Sequence, residues 1–510
     1  MLDFIDGFLN KITMYRITLY ALLFLLASAC VLSLFGLLPF TAVSLIFSTG
    51  IILGAALLVN KIFSIVFEVP TNVESAYITS FILALIITPV SPDRFFSASG
   101  LGFLGWAAVW AMASKFILSF NKKHIFNPAA FAVALTALTI NQTASWWVGT
   151  LYMLPFAAVA GFIVVRKTAR FEMVWIFGAV AILFSAIFDI TKGVSLLTAV
   201  WQAVTVTPMV FMSTIMLTEP LTVPPTRNMR IIYAALIGLF FPPIMHFGSI
   251  YSTPELALLI GNLFSFAISP KGRHIMRLKK KTRLSNDVYE FCFESDRVVR
   301  FSPGQYMEWT LNHRKPDSRG NRRFFTIASP PDEKEIKLGV KFYPNASSFK
   351  QALFSAVPGD IILAAQPAGD FVLPGNKNEK LAFIAGGIGI TPFRSIITHL
   401  VGRNEKRDMV LFYSARTPED LAYRNIFDEA ERRIGLKPVY AVNGLGKSDN
   451  WNGKTGFLNA DTIRKEAPDY LERTFYISGP RSLVDSFKKI LIEMELDPKK
   501  IKTDYFPGLA

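Results

Sequence analysis

The longest uncharged stretch of the sequence, Ile17–Asn60, contains no Asp, Glu, Lys or Arg. A helix needs about 20 apolar residues to cross the hydrocarbon core of a bilayer. This stretch is therefore long enough for two membrane helices, separated near Pro39. Further uncharged runs cover 75–92, 95–114, 125–165, 173–188, 193–218 and 231–254, and an apolar segment covers 256–269. The run at 125–165 has room for two helices, broken near Asn141–Gln142, so the pattern predicts about ten transmembrane helices.

The charged residues divide the chain into two unlike halves. Residues 1–270 hold 13 Lys/Arg and 9 Asp/Glu, whereas residues 271–510 hold 40 and 29. With the N-terminus placed inside, the basic residues of the first half lie in inside connections or at their edges, except Arg94 and Lys192. This positive-inside pattern predicts a multi-pass protein of the cell (inner) membrane, with the chain from residue 271 onward in the cytoplasm.

Cysteine and histidine are too few for several kinds of metal centre. Cys30 and Cys292 are the two cysteines, which excludes a disulfide framework, a cysteine-ligated iron–sulfur cluster and a four-cysteine zinc site. The first half has two histidines, His124 and His246, whereas a pair of bis-histidine haems needs four. We predict no metal site. Residues 269–291 are interpreted as a linker whose basic residues favour anionic inner-leaflet lipid over nucleic acid.

Polar residues interrupt the apolar half at four places: Glu74, Asn127-Pro128, the segment 218–226 (TEPLTVPPT) and Glu255. An ionisable group within a bilayer is costly and is usually functional. Alternatively, Glu74 and Glu255 lie hydrated at the interface. Helices broken at Asn-Pro or Pro-Pro have free ends, and such ends bind anions or cofactors where they line a cavity.

These segments resemble one membrane family. The stretches HIFNPAAFAVAL, ESAYITSFILALIITP, FMSTIMLTEPLTVPPT and PELALLIGNLFSFAI are similar to segments of the B subunit of the sodium-pumping NADH:quinone oxidoreductase and the D subunit of the Rnf complex. The resemblance covers about residues 15–270. It implies ten helices, a membrane flavin such as FMN, ion transport and further electron-transfer subunits.

In that family FMN is often joined through phosphate to a threonine in the motif Asp-Gly-x-Ser/Thr-Gly-Ala-Thr. The matching residues here are 192–198 (KGVSLLT), which keep Gly193, Ser195 and Thr198 but replace Asp by Lys192. Leu196-Leu197 replace the Gly-Ala pair and would obstruct a flavin transferase, so covalent attachment at Thr198 is doubtful. The resemblance nevertheless leaves Ser195, Thr198, Asn127 and Thr218 as candidate membrane-flavin residues, and non-covalent flavin or quinone as open alternatives.

The second half carries two further patterns. Short alternating runs, VYEFCFES, QYMEWTL, RFFTIAS, IKLGVKFY and DIILAAQ, are separated by Pro and Gly and predict a small antiparallel β-barrel over 271–375. From about 376 to 510, strand, loop and helix patterns repeat, which is typical of an α/β nucleotide-binding domain with a parallel sheet. The predicted fold is therefore a multidomain membrane protein with an all-α transmembrane domain over 1–270.

Four sites in this half suggest nucleotide chemistry. In the strand at Arg323-Phe324-Phe325-Thr326, alternation places Arg323 and Phe325 on one face; Arg suits a pyrophosphate and the Thr326 hydroxyl suits a flavin nitrogen. Ser347-Ser348 begin a helix and form an anion site. The other two are strand-end turns, comprising Gly386, Gly387, Gly389, Thr391 and Pro392 in one, and Ser478, Gly479 and Pro480 in the other.

In this order the four sites resemble the ferredoxin–NADP reductase family over residues 280–510. The resemblance implies FAD held by RFFT and the NASSF segment, a pyridine nucleotide at GGIGITP and YISGPRSLV, and an aromatic C-terminal segment, DYFPGLA, containing Phe506. Tyr343 is included as a further cofactor-binding residue. The resemblance implies that Thr326 and Ser478 are catalytic. Many members carry Cys where this chain has Ser478, so we expect hydride transfer to be slower here than in those members.

Together these patterns predict a membrane-bound NAD(P)H-dependent FAD oxidoreductase that passes electrons to a flavin, quinone or other acceptor in the membrane. Ser414, Arg416 and Arg424 could meet the 2′-phosphate of NADPH, but Arg416 and Arg424 could equally pair with nearby acidic residues; NADH is slightly favoured by the resemblance. The alternative functions are an ion transporter, or a sensor, whose membrane half is regulated by the reductase domain.

Overall fold

The computed structural model describes residues 9, 12–67, 73–120, 123–244, 246–248, 250–269, 272–313, 316–317, 320–444 and 451–504. The chain divides into two compact units, Met1–Gly272 and Arg273–Ala510. The first unit is helical. Its helices are α1 (Met14–Leu34), α2 (Ala42–Val66), α3 (Val73–Ile86), α4 (Ala98–Ile117), α5 (Pro128–Ile140), α6 (Leu154–Thr168), α7 (Phe171–Thr191), α8 (Leu196–Thr205), α9 (Met209–Phe211), α10 (Arg227–Phe240) and α11 (Pro254–Ile268).

Two small hairpins join helices of this unit: β1 (Ser119–Phe120) with β2 (Lys123–His124), and β3 (His246–Phe247) with β4 (Ile250–Tyr251). Helix α9 continues directly into a π-helical turn, Met212–Met216. Such turns occur mostly as single-turn bulges and frequently at functional sites. The chain then breaks before α10, over the segment that contains Thr218 to Thr226.

Four helices of the described part are long and apolar enough to cross a bilayer: α1, α2, the Gly100–Ile117 part of α4, and α7. Helix α8 and Met209–Met216 form a bent pair, with an angle of 59°, that would count as a fifth span. Helices α3, α5 and α11 are apolar but shorter, with 14, 13 and 15 residues. At 1.5 Å per residue they cover only about 20 Å, so the sequence overestimated the number of full-length spans.

Small residues allow the helices of this unit to pack closely. Helix α4 contributes buried Ala107, Ala108 and Ala111, and the facing helix α5 contributes Ala129 and Ala132. On α11, a Cβ added to Gly261 would lie 2.4 Å from Cδ1 of Ile237 on α10. Close approach at Ala and Gly is typical of helix packing in membranes, where dispersion contacts replace the hydrophobic effect.

The second unit begins with a six-stranded antiparallel sheet, in the spatial order β8-β7-β10-β5-β6-β9. Just after β8, the N–H of Ala328 donates to the carbonyl of Lys337 on β9, at 2.8 Å, which brings the two edges together as a barrel requires. The strands are β5 (His274–Arg283), β6 (Val288–Ser295), β7 (Tyr306–Thr310), β8 (Arg322–Thr326), β9 (Ile336–Lys341) and β10 (Ile361–Ala364), with helix α12 (Ser348–Phe354) between β9 and β10.

Strand β5 corrects the interpretation of this region as a linker. His274, Met276 and Leu278 are buried, whereas Arg277 and Lys279, which follow Met276 and Leu278, are exposed. This alternation is that of a half-buried strand, but the density of basic residues hides it in the sequence. The predicted strands within 288–366 are all present.

The remaining strands form a second, entirely parallel sheet in the order β14-β13-β12-β11-β15-β16. The predicted pairing of an antiparallel sheet with a parallel α/β domain is therefore confirmed. The strands are β11 (Leu381–Gly386), β12 (Met409–Ala415), β13 (Lys437–Val442), β14 (Lys454–Thr455), β15 (Thr474–Ser478) and β16 (Ile501–Thr503); the helices are α13 (Thr391–Gly402), α14 (Arg424–Ile434), α15 (Ala460–Glu466) and α16 (Arg481–Glu493).

Candidate functional site

The two glycine turns lie side by side at the carboxyl ends of neighbouring parallel strands, β11 and β15. A Cβ atom added to Gly389 would lie 2.4 Å from the Cα atom of Gly479, and one added to Gly386 would lie 2.5 Å from Cδ1 of Leu483. Gly387 has a φ of +52°, which favours glycine. The glycines therefore bring the two predicted turns into direct contact, beside Pro480 at the start of α16.

Helix α13 connects the first glycine turn to the antiparallel sheet. Thr391 and Pro392 lie in its first turn, and the Thr391 hydroxyl donates to the carbonyl of Ile388 at 3.1 Å. One turn later, Nη1 of Arg394 donates to the carbonyl of Ala328 at 2.8 Å, and Oγ of Ser395 donates to that of Ser329 at 2.7 Å. The sequence did not single out Arg394 or Ser395, although they hold the segment after β8 beside the glycine turn.

Thr326 and Ser478, the two predicted catalytic residues, meet at a third residue. Oγ of Ser478 donates to Oδ2 of Asp504 at 3.1 Å, and the Thr326 hydroxyl also bonds to Asp504. Burial raises the pKa of Asp504 to about 7, against the opposing effect of the two hydroxyl groups. The sequence did not predict a role for Asp504, although this residue begins the aromatic C-terminal segment DYFPGLA. Phe506, which was predicted in the same segment, lies outside the described residues.

The flavin motif on β8 shows the expected alternation. The Arg323 guanidinium lies 5.3 Å and the Phe325 ring 6.0 Å from the centre of the Phe349 ring, whereas Phe324 faces Tyr306 at 5.7 Å. All four residues of the motif, Arg323 to Thr326, are nevertheless buried. Arg323 directs Nη1 at the carbonyl groups of Arg322, at 2.6 Å, and Gly320, at 3.3 Å.

The predicted diphosphate site at the start of α12 already binds a carboxylate. Ser347 caps the helix, accepting from the N–H of Lys350 at 3.3 Å. The N–H of Ser348 donates to Oδ2 of Asp317 at 3.0 Å, and its Oγ lies 2.9 Å from both the Asp317 N–H and Nε2 of His313. Because an anionic group occupies this position, the donors fit a diphosphate, which Arg323, Ser347 and Ser348 would hold once Asp317 is displaced.

Tyr343, Arg416 and Arg424 are the remaining residues that the sequence predicted for nucleotide binding. The ring of Tyr343 is half exposed, and the Lys350 ammonium lies 5.5 Å from its centre. Arg424 pairs with Asp428 at 3.6 Å and stacks on Tyr440 and Trp451, which supports the alternative of an acidic partner for that residue. Arg416 is exposed just beyond the carboxyl end of β12, and the described residues offer its guanidinium no acidic group within ion-pair distance.

The first unit contains a cavity that brings together segments distant in sequence. Asn127, Pro128 and Ala129 line it from the start of α5, and Thr218, Glu219, Pro220 and Leu221 line it from the break after the π-helical turn. Tyr15, Thr18 and Ser75 add polar groups, while Ile78, Ile82, Val164 and Ile215 provide apolar walls. Two of the four candidate membrane-flavin residues, Asn127 and Thr218, thus share one cavity.

Glu219 is the centre of the polar contacts at this cavity. Its Oε2 accepts from Nδ2 of Asn127 at 2.7 Å and from Oγ1 of Thr222 at 3.3 Å, and its Oε1 lies 3.8 Å from Nε2 of His124. The backbone N–H of Asn127 donates to Oδ1 of Asn262 on α11, at 2.7 Å. The broken helix end predicted at Asn-Pro is therefore fixed by side chains from two other segments.

Ser195 and Thr198 lie elsewhere, at the start of α8. Ser195 caps the helix, its Oγ lies 2.8 Å from Oγ1 of Thr198, and neither residue lines the cavity. Leu196 and Leu197 beside them are 61% and 82% exposed. This is the arrangement of an ordinary helix start with apolar neighbours.

Comparison with known proteins identifies the chemistry of the second unit. Residues 252–373 match the oxidoreductase FAD-binding domain, and residues 383–489 match the oxidoreductase NAD-binding domain. The second unit is an FAD- and NAD(P)H-binding oxidoreductase module.

Two curated relatives illustrate the similarity. The glycine betaine monooxygenase reductase subunit of Pseudomonas aeruginosa is 30% identical over 226 residues, which are 43% of this chain and 60% of the relative. The F subunit of the Na⁺-translocating NADH-quinone reductase of Marinomonas is 31% identical over 199 residues, 38% of this chain and 47% of the relative. The chain thus spans about half to three fifths of these proteins.

Among solved structures, the Amycolatopsis cytochrome P450 reductase GcoB is 22% identical, with a TM-score of 0.42, covering 46% of this chain and 69% of that one.

Proposed function

We propose that the chain is a membrane-bound reductase that takes a hydride from NAD(P)H onto FAD in the second unit and passes electrons to a flavin or quinone in the first. FAD supplies the conversion of a hydride into single electrons. In this proposal Thr326, Ser478 and Asp504 surround the reacting rings, Arg323, Ser347 and Ser348 hold the diphosphate, and the two glycine turns, with Thr391, Pro392 and Pro480, admit the pyridine nucleotide.

The observation that carries the membrane step is the cavity beside Glu219. Asn127 and Glu219, which both line it, are bonded to each other at 2.7 Å, so the start of α5 and the break after the π-helical turn meet there. The cavity combines apolar walls with a few fixed polar groups, as a flavin or quinone ring requires. We place the membrane cofactor here, non-covalently, and not at Thr198.

The proposal also includes the membrane placement. Residues 1–270 form a multi-pass domain of the cell (inner) membrane related to the B and D subunits named above, and the reductase module is cytoplasmic. The shorter helices α3, α5 and α11 end at the cavity or at buried polar groups, which supports counting them as parts of broken spans. Further electron-transfer subunits would then complete the path.

A second candidate function is ion transport controlled by the reductase module. Glu255, in the first turn of α11, is buried and accepts from Nε1 of Trp146 at 2.9 Å. A buried acid in a membrane unit marks ion paths as well as cofactor sites. Under this alternative Glu219 and Glu255 would serve the ion, and the cavity would hold no redox group.

Flavin analysis of the purified full-length protein separates the two functions. We expect more than one flavin per chain, all released by acid, and reduction of a soluble quinone by NAD(P)H. One flavin per chain, all of it FAD, with no quinone reduction but with NAD(P)H-dependent ion uptake into proteoliposomes, would favour the transporter.

A further inference from the structure

We propose that a surface patch of the antiparallel sheet, around the segment between α12 and β10, binds the surface of an anionic lipid bilayer. This patch, the basic–apolar face, consists of Arg277, Lys281, Phe354, Val357 and Ile361. The inference rests on the proposed membrane location of the first unit, and it names the surface through which the reductase module meets that membrane.

The apolar part of the face is a short segment between α12 and β10. Phe354, Val357 and Ile361 are 43%, 58% and 52% exposed. The turn that carries Val357 is fixed, because Oδ2 of Asp360 accepts from the Val357 N–H at 2.9 Å. Three large apolar side chains of an ordered segment are thus exposed to water. Their exposure costs free energy unless another surface covers them.

Basic groups bracket this segment at both ends. Nη1 of Arg277 donates to the carbonyl of Gly359 at 3.3 Å, and Arg277 lies opposite Ile361 in the β5–β10 ladder. The Lys281 ammonium donates to the carbonyl of Phe354 and lies 4.3 Å from the centre of that ring. Both cations are therefore positioned beside the apolar side chains.

The neighbouring charges leave the face positive. Asp360 contributes a carboxylate within the turn, and Lys279 is neutralised by Glu294 at 3.0 Å. Lys280 and Arg283 are exposed on the same strand and add positive charge. An acidic partner is therefore favoured over a basic one.

An anionic lipid surface fits this chemistry better than a folded protein does. Apolar side chains flanked by Lys and Arg are typical of segments that bind at the headgroup level, where the apolar groups enter the acyl boundary and the cations meet lipid phosphates. The sequence position agrees, because β5 begins at His274, shortly after the last apolar helix ends at Ile268. Basic residues close to the end of a membrane helix are held near the headgroups by the chain itself.

The test uses the full-length chain with Cys30→Ser and Cys292→Ser, a bimane label on Val357→Cys, and nanodiscs of phosphatidylcholine with or without phosphatidylglycerol, the lipids carrying bromine on their acyl chains. We expect at least about twofold stronger quenching of the label when phosphatidylglycerol is present. Arg277→Gln with Lys281→Gln should remove most of that increase. The matched control is a label on Phe457→Cys, since Phe457 is 79% exposed and lies outside the face; it should stay unquenched.

Equal quenching at the two labels, or no dependence on phosphatidylglycerol, would overturn the inference. Co-migration of the protein with nanodiscs and its flavin content are measured on the same samples. Loss of co-migration or of flavin would count against the proposed function, whereas their retention without quenching at position 357 would count against the basic–apolar face alone.

Discussion

Gly389 and Gly479 touch through their backbones: a Cβ atom on Gly389 would lie within 2.4 Å of the Gly479 Cα atom. The contact joins the ends of β11 and β15, so neither turn can change its path independently. Ser478, which bonds to Asp504, immediately precedes Gly479. The spacing between the first glycine turn and the Ser478–Asp504 contact is therefore set by two residues that lack side chains.

Gly389→Ala should disturb both turns at once. The added methyl group meets backbone atoms, which cannot move aside as a side chain can, so we expect destabilisation by about 1–3 kcal/mol and a large loss of NAD(P)H oxidation. Gly402→Ala in the following helix is the control, because a Cβ there meets nothing within 4 Å. The measurements are the rate of ferricyanide reduction and the thermal midpoint of both variants. Equal rates and equal midpoints in the two variants would contradict the prediction.

Asp504 should make stability fall as pH rises towards 8. Its pKa is about 7 in the folded protein, against an ordinary value of 3.8. Between these two pH values the folded state therefore holds a proton that the unfolded state has lost. The contribution is present at low pH and is lost as pH rises through about 7. The thermal midpoint of the wild type should therefore drop between pH 5.5 and 8.5, a range that roughly brackets that pKa. The thermal midpoint of Asp504→Asn should drop less over the same range. Parallel curves would show that Asp504 does not titrate there.

Arg323→Ala should weaken FAD binding. A charge-assisted contact to diphosphate contributes about 1.5–3 kcal/mol, so the dissociation constant should rise about 10- to 100-fold. Because Arg323 is buried against Phe349, some stability will be lost as well, and FAD titration must be paired with a melting curve. Arg300→Ala removes an exposed cation from the same unit and should leave FAD affinity unchanged.

Leu221→Trp should remove the membrane flavin by filling the cavity that Leu221 lines. We expect the flavin-to-chain ratio to fall towards one, with FAD and ferricyanide reduction retained. Leu197→Trp adds the same bulk at a side chain 82% exposed and outside the cavity, and should keep the second flavin.

Covalent attachment is tested separately on denaturing gels. We expect no fluorescent band from this chain when it is made without a flavin transferase, and little with one. A band that disappears in Thr198→Ala would establish covalent attachment.

A fragment starting at residue 272 should fold, bind FAD and oxidise NAD(P)H with an artificial acceptor. A fragment starting at residue 284 should fail, because it lacks β5, which pairs with β10 on one side and β6 on the other. Flavin absorbance and circular dichroism of the two fragments provide the check. A yellow, active fragment without β5 would show that the strand is dispensable.

The sequence predicted the reductase part well because its signals are local. The buried strand before Gly386 and the Pro392 helix start each follow from a few neighbouring residues, and both are found. Asp504 was missed because its role depends on long-range contacts: it lies 26 residues from Ser478 along the chain, and only the folded sheet brings them together. Asp317 was missed for the same reason.

The helical first unit was harder to predict because hydropathy measures apolarity and not helix length. In the run at 125–165 the predicted helix start at Asn127 and the predicted break near Asn141 are both found, since Asn127 caps α5 and Asn141, in the left-handed conformation, ends it, but α5 has only 13 residues. The sequence indicated the cavity only indirectly, through the polar residues that interrupt the apolar runs of the first unit. That Asn127 and Glu219 would bond to each other, across 92 residues, could not be inferred from either segment alone.

The position of β5 in the middle of its sheet also determines when the reductase part can form during synthesis. One partner, β6, begins at Val288, but the other, β10, begins only at Ile361. At about 5–20 residues per second, a growing chain takes several seconds to reach that strand after the last apolar helix has been made. During this interval β5 has only one of its two neighbours, and its basic residues emerge before the rest of the enzyme exists.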